Sequence, residues 1–240
     1  MTDIYRRSFV QGAGLAAVAA AATAVSSISA NADPAPSGKP AVPYEPKPMP
    51  FDATKVNGIS EKLLTSHYQN NYLGAVKRLN AIDAQLAALD WASAPTFAIN
   101  GLKREELIAM NSMILHEHYF AALGGSGGDP KGALADAIAR DFGGVDRWRT
   151  EFSAMGKAEG GGSGWVVLSY SPRDKRLVNT WASDHTTTLA AGRPVLVLDM
   201  YEHAYQMDFG AKAAAYVDAY MAGIRWDEAI ELYKRYAKET

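Results

Sequence analysis

The chain has 240 residues, 48% hydrophobic and 21% charged, with a formal net charge of −2 and no cysteine. That length allows one or two globular domains with a sizeable core, and the even charge balance gives no footing for nucleic acid or an anionic membrane as main partner. Without cysteine there are no disulfides, thiolate metal sites, iron–sulfur clusters or cysteine nucleophile. Any metal must be held by nitrogen and oxygen, and the histidines available are His67, His116, His118, His185 and His203.

Residues 1–32 read as an export signal. Tyr5-Arg6-Arg7-Ser8-Phe9-Val10 opens it, a small apolar run continues to Val25, and Ala30-Asn31-Ala32 closes it like a cleavage site. The run is too alanine-rich and short for a stable membrane span, so no membrane insertion is expected after cleavage. The paired arginines resemble a twin-arginine signal, which implies export of a folded protein to the periplasm. Residues 33–57 form a proline-rich extended linker: seven of the eleven prolines fall between Pro34 and Pro50.

Apolar residues at helical spacing (Leu63, Leu64, Tyr68, Tyr72, Val76, Leu79, Leu86) predict one or two long helices over 59–89. Asn100-Gly101 breaks the pattern, and a second long helix is expected over 103–123, ended by the glycine-rich run at 124–128. Shorter helices fit 132–142 and 145–159. The texture then changes: 165–170 and 176–182 read as paired strands around a Pro172-Arg173-Asp174 turn, with a third strand over 194–199. Helical patterns return over 201–208, 211–221 and 226–236. The expected fold class is therefore α+β: an all-helical first half followed by a small three-stranded antiparallel sheet packed with helices. Gly160 to Gly164 lacks the lysine of a phosphate-binding loop and leads into a strand, not a helix. Lys103-Arg104-Glu105-Glu106 reads as a solvated helix face, and Trp148 and Trp226 as core aromatics.

The informative spacing is Asp199-Met200-Tyr201-Glu202-His203. The run Val195 to Leu198 carries Asp199 to a strand end, and His203 follows at the next turn, so both side chains can converge on one ion. His67 and His116 lie on the two long helices among apolar neighbours, where a lone histidine is commonplace. Taken together, the four give three imidazoles and one carboxylate, a set that suits zinc, manganese or iron with a position left open. His118, two residues from His116, lies about 200° around the helix and reads as outward-facing or structural.

At these residues the chain, from about Ile59 onward, resembles the iron/manganese superoxide dismutase family. Asp199-Met200-Tyr201-Glu202-His203-Ala204-Tyr205 is close to the family's D-x-W-E-H-A-Y signature, supported by Gly162-Ser163-Gly164-Trp165, Asn179-Thr180 and Trp226-Asp227-Glu228-Ala229. The resemblance implies two domains, a helical hairpin over 58–124 and an α/β domain over 125–240, with one iron or manganese ion per subunit held by His67, His116, Asp199 and His203, and disproportionation of superoxide to dioxygen and hydrogen peroxide. It also implies that Trp165 lines the metal cavity and that Glu202 and Tyr205 sit at a homodimer interface.

Around the ligand positions the sequence leaves the family pattern. Ala75 stands where the family has a gateway tyrosine, Asn71 and Tyr72 replace histidines, and Tyr201 replaces the tryptophan of the signature. Ala213, beside Lys212, takes the place of the funnel arginine. The glutamine that holds the metal-bound solvent is missing from both usual places: Ser112 occupies one and Ala182-Ser183-Asp184-His185 the other. His185 is the candidate replacement, which tilts the metal preference towards iron. These changes imply a wider entrance with less positive charge to draw in an anion. The alternative is thus a metalloprotein of the same fold with little dismutase activity, its metal serving oxidase- or peroxidase-type chemistry.

Overall fold

A computed structural model describes residues 42–239, so the expected export signal and the first part of the linker lie outside the described residues. From Val42 the proline-rich stretch is extended and bonded to the domain. Tyr44 and Asn80 exchange two hydrogen bonds (2.8 and 3.0 Å), and Tyr68 donates to the Lys47 carbonyl at 2.7 Å.

Helix α1 (Glu61–Ser66) starts where expected because Ser60 caps it, its hydroxyl accepting from the Leu63 N–H at 3.1 Å. Ser60 is tied in turn to Asp208, far along the chain, through its backbone N–H (2.6 Å) and its hydroxyl (2.7 Å). The helix continues through a π-helical segment (His67–Tyr72) into α2 (Leu73–Ala87). Leu63, Leu64, Tyr72, Val76, Leu79 and Leu86 are all buried, as the periodicity predicts. What the periodicity does not show is the π segment, a feature that recurs at functional sites because it rotates the face a helix presents.

Helix α3 (Thr96–Ala121) pairs with α2 and starts earlier than expected, with Asn100-Gly101 inside it. Pro95 fixes its start, with φ −60° and ψ 138° before the first turn. The glycine costs only about 1 kcal/mol at that exposed position. Helices α4 (Gly132–Phe142) and α5 (Val145–Ala158) follow, then β1 (Trp165–Ser171), β2 (Arg176–Ala182) and β3 (Arg193–Asp199). The sheet is antiparallel in the order β2-β1-β3, and β1 is buried along its whole length because helices pack against it and strands flank it on both sides. The register sets Trp165 opposite Ala182 on one side and Asp199 on the other, so one end of the sheet presents these three in a row.

The helix expected over 201–208 is instead a 3₁₀ turn (Glu202–Ala204) followed by the short α6 (Gln206–Phe209), broken at Tyr205 with φ −146° and ψ −23°. Tyr205 is buried, stacked on Tyr216, with its hydroxyl accepting from the Gly161 N–H at 3.2 Å; that anchorage overrides the helical pattern. Helices α7 (Ala213–Ala222) and α8 (Asp227–Lys238) complete the chain. The α+β class and the three-stranded antiparallel sheet are as the sequence predicts. Among the described residues, no helix is long and apolar enough to cross a membrane.

Candidate metal centre

Four elements meet at the end of the sheet. His67 opens the π segment, His116 lies near the end of α3, Asp199 ends β3, and His203 sits in the 3₁₀ turn that follows. One potential ligand atom from each lies within 4.8 Å of all the others. The Nε2 atoms of His67 and His203 are both 3.1 Å from Oδ2 of Asp199, and that of His116 is 3.5 Å away. The other carboxylate oxygen, Oδ1, accepts from the Tyr201 N–H at 2.8 Å, which fixes the rotation of the group and leaves Oδ2 to the histidines. His116 Nδ1 donates to the Ser112 carbonyl, one turn back, at 2.7 Å. Its Nε2 is then the lone-pair nitrogen, turned to the centre, buried and without a hydrogen-bond partner.

His67, His116 and Asp199 are fully enclosed, whereas the His203 side chain is 26% exposed, so the centre is approached from the His203 side. Burial pushes His116 down to about 3, with the neighbouring His67 adding to the shift, and burial also lowers His67. Both imidazoles are thus neutral, the form that ligates. Burial alone would raise the Asp199 carboxyl, but the electrostatic attraction of His203 and the hydrogen bonds of His203 and His67 outweigh it and hold the group well below the usual carboxylate range. A buried anion facing neutral nitrogens, one of them unpartnered, is a donor set that a divalent or trivalent cation satisfies. The residues fit a metal ion.

A cavity of about 330 Å³ opens onto His116 and His203. His185 lines it, and the indole N–H of the fully buried Trp165 donates to His185 Nδ1 at 3.0 Å. Tyr201 stacks on His185 and His203, with ring centroids 4.8 and 5.3 Å away. Asn71, Ala75 and Ser112 line the same cavity, so three of the four departures from the family pattern in the long helices cluster at its wall. Tyr72 faces elsewhere: its hydroxyl accepts from the Lys47 N–H at 2.7 Å and donates to Glu117 at 3.2 Å. Ala213 is buried, and its neighbour Lys212 lines a separate cavity with Lys157, Glu202 and Tyr205. Glu202 is exposed, whereas Tyr205 is buried within the single chain, so of the two only Glu202 offers appreciable surface to a second copy. His118 is half-buried in another cavity beside Lys47 and Arg235, away from the centre.

Two residues escaped sequence reasoning. Arg78 lines the cavity that reaches the centre; its position three residues after Ala75 was the available signal. Glu159, immediately after α5, is buried with both carboxylate oxygens unpartnered, and burial, with the charge of Asp199 adding, pushes it up to about 8. No sequence pattern marks it.

Three imidazole nitrogens and one carboxylate oxygen, gathered from a helical hairpin and a sheet end beside a half-open cavity, are the arrangement of a mononuclear metalloprotein. Residues 130–232 match the family described as "Iron/manganese superoxide dismutases, C-terminal domain". The chain is 69% identical over 186 residues to the iron superoxide dismutase of Cupriavidus metallidurans, an alignment covering 78% of this chain and 94% of that protein. It is 33% identical to a manganese superoxide dismutase of Halobacterium salinarum (81% of this chain, 97% of that one) and 33% identical to the iron superoxide dismutase of Aquifex aeolicus (76% and 88%). The chain belongs to the iron/manganese superoxide dismutase family.

Proposed function

We propose that the protein disproportionates superoxide, two superoxide anions and two protons giving one dioxygen and one hydrogen peroxide, at a single iron ion held by His67, His116, Asp199 and His203. The observation that carries this reading is the convergence of three Nε2 atoms on Asp199 Oδ2, at 3.1, 3.1 and 3.5 Å, in a chain of this family. The 69% identity to an iron enzyme supports iron over manganese.

The bound ion supplies one-electron chemistry between its +3 and +2 states. The chain's own residues set the conditions. Asp199, anionic at any working pH, favours the more highly charged state, and the N–H of Tyr201 holds the carboxylate in place. His185 accepts from Trp165 at Nδ1, so its Nε2 carries the proton and serves as a donor to solvent or peroxide in the cavity. Tyr201, stacked between the two imidazoles, keeps both rings in register.

The twin-arginine-like sequence at Arg6-Arg7 supports export to the periplasm as a folded, metal-loaded protein. Exposed Glu202, in the family signature, supports a homodimer. Elemental analysis of protein purified from its native compartment, with superoxide decay followed by pulse radiolysis on the same sample, tests the reading: iron with rapid decay supports it. The second reading, a slow dismutase whose metal serves other oxidase- or peroxidase-type chemistry, is favoured by Ala75 and Asn71 in the cavity wall. Bound metal with superoxide decay no faster than the uncatalysed reaction selects it.

A further inference from the structure

We infer that Arg78 is the residue that draws the anionic substrate into the metal cavity, and that Glu105 sets how strongly it does so. The inference rests on the dismutase reading above. Among the described residues, Arg78 is the one lysine or arginine that lines the cavity opening onto His116 and His203. It stands three residues after Ala75 on α2, hence on the same helix face one turn along. Ala75 presents only a methyl group to this wall.

Neither Lys212 nor Lys103 lines this cavity. Ala213 is buried and apolar, and Lys212 beside it lines a different cavity with Lys157 and Glu202. Lys103, on α3, is ion-paired with Glu106.

The Arg78 side chain is 54% exposed, as a steering charge must be, and is ion-paired with Glu105. Glu105 also lies 3.7 Å from Arg104, so its charge is shared between the two arginines. His185 lines the same cavity as Arg78, and its imidazole is lowered first by burial, with the charge of Arg78 a smaller contribution in the same direction. An exposed cation beside a concave, partly apolar opening raises the local concentration of anions, and the effect fades as salt shortens the screening length. The sequence alone reads the Lys103-Arg104-Glu105-Glu106 stretch as a solvated helix face; the fold sets its Glu105 against Arg78 at the cavity.

The test uses the metal-loaded protein with three substitutions, Arg78→Gln, Arg78→Lys and Glu105→Gln. The readouts are kcat/KM for superoxide across a range of ionic strength, the Kd for azide from the metal's absorption spectrum, and metal content. Arg78→Gln is expected to lower kcat/KM at low salt about threefold, flatten its salt dependence and weaken azide binding by a similar factor, with metal content unchanged. Arg78→Lys keeps most of the wild-type behaviour, and Glu105→Gln strengthens azide binding and raises kcat/KM. Wild-type kcat/KM, salt dependence and azide Kd in Arg78→Gln overturn the inference, as does a loss that persists unchanged at high ionic strength. Azide binding reads Arg78 whether or not superoxide is turned over, so failure of the dismutase reading and failure of the steering role give different results.

Discussion

The indole N–H of Trp165 donates a 3.0 Å hydrogen bond to Nδ1 of His185. Trp165 is fully buried and donates only, so the bond sets the tautomer of the imidazole: Nδ1 accepts and Nε2 bears the hydrogen. His185→Ala is expected to lower superoxide turnover about ten- to a hundredfold with metal retained, the scale found when groups that support metal ligands are removed. Trp165→Phe keeps the buried ring but frees the tautomer, and its loss of turnover should be smaller and vary with pH between 5 and 8, where a released imidazole titrates. A His185→Ala protein as active as wild type would remove His185 from the mechanism.

The four candidate ligands differ in exposure, and that separates their mutants. His203 is partly exposed, so His203→Ala should fold normally, with circular dichroism unchanged, while metal affinity falls by at least about a hundredfold. His67 is enclosed, with its ring centroid 4.9 Å from that of Tyr119 and 5.1 Å from that of Phe120. His67→Ala therefore opens a cavity as well as losing a ligand, and it should also lower apo-protein stability by about 2–4 kcal/mol in urea denaturation. Full metal occupancy in His203→Ala would count against the ligand set.

Glu159 gives a pH dependence with a definite sign. Its carboxyl is raised from its ordinary value of 4.5 to about 8, by burial first and by the charge of Asp199 second. The C-terminal end of α5, just before it, disfavours an anion further. Between these two values the unfolded chain has released the proton and the folded chain still holds it, so stability falls as pH rises from 4.5 to about 8 and then levels off. Glu159→Gln should flatten that slope and stabilise the protein at pH 8 by about 1–3 kcal/mol, measured by denaturant unfolding across the range.

Asp208 holds the start of α1 from a distance through two hydrogen bonds to Ser60. Asp208→Ala should cost about 1–2 kcal/mol, seen as a thermal midpoint lower by roughly 2–8 °C, and Ser60→Ala about 1 kcal/mol through loss of the cap. Because α1 leads directly into His67, both variants should also release metal faster to a chelator.

Most of the scaffold was legible because its signals are local. Short apolar runs and flanking turns mark the strands, and β2 matches the predicted span throughout. The helix over 132–142 is likewise bounded by glycine, with Gly143 in the left-handed region at φ 82°. Failures occur where tertiary contacts decide. Asn100-Gly101 reads as a break because glycine is a weak helix former, yet the stretch is carried inside α3. Tyr205 interrupts a periodic run because its hydroxyl is claimed by Gly161, 44 residues away. The four candidate ligands could be picked out through the Asp199–His203 spacing and a family resemblance. Arg78 and Glu159 could not, since lining a cavity and lacking a partner are properties of assembled neighbours.

The rung that sets Trp165 against Asp199 and Ala182 makes metal capture a check on strand pairing. Side chains alternate along a strand, so slippage of β3 past β1 by a single position would turn the Asp199 carboxylate to the opposite face and displace it by about 3.3 Å. A misaligned sheet would then leave the imidazoles without their anion, and an ion would be retained only by chains whose strands had found their proper offset.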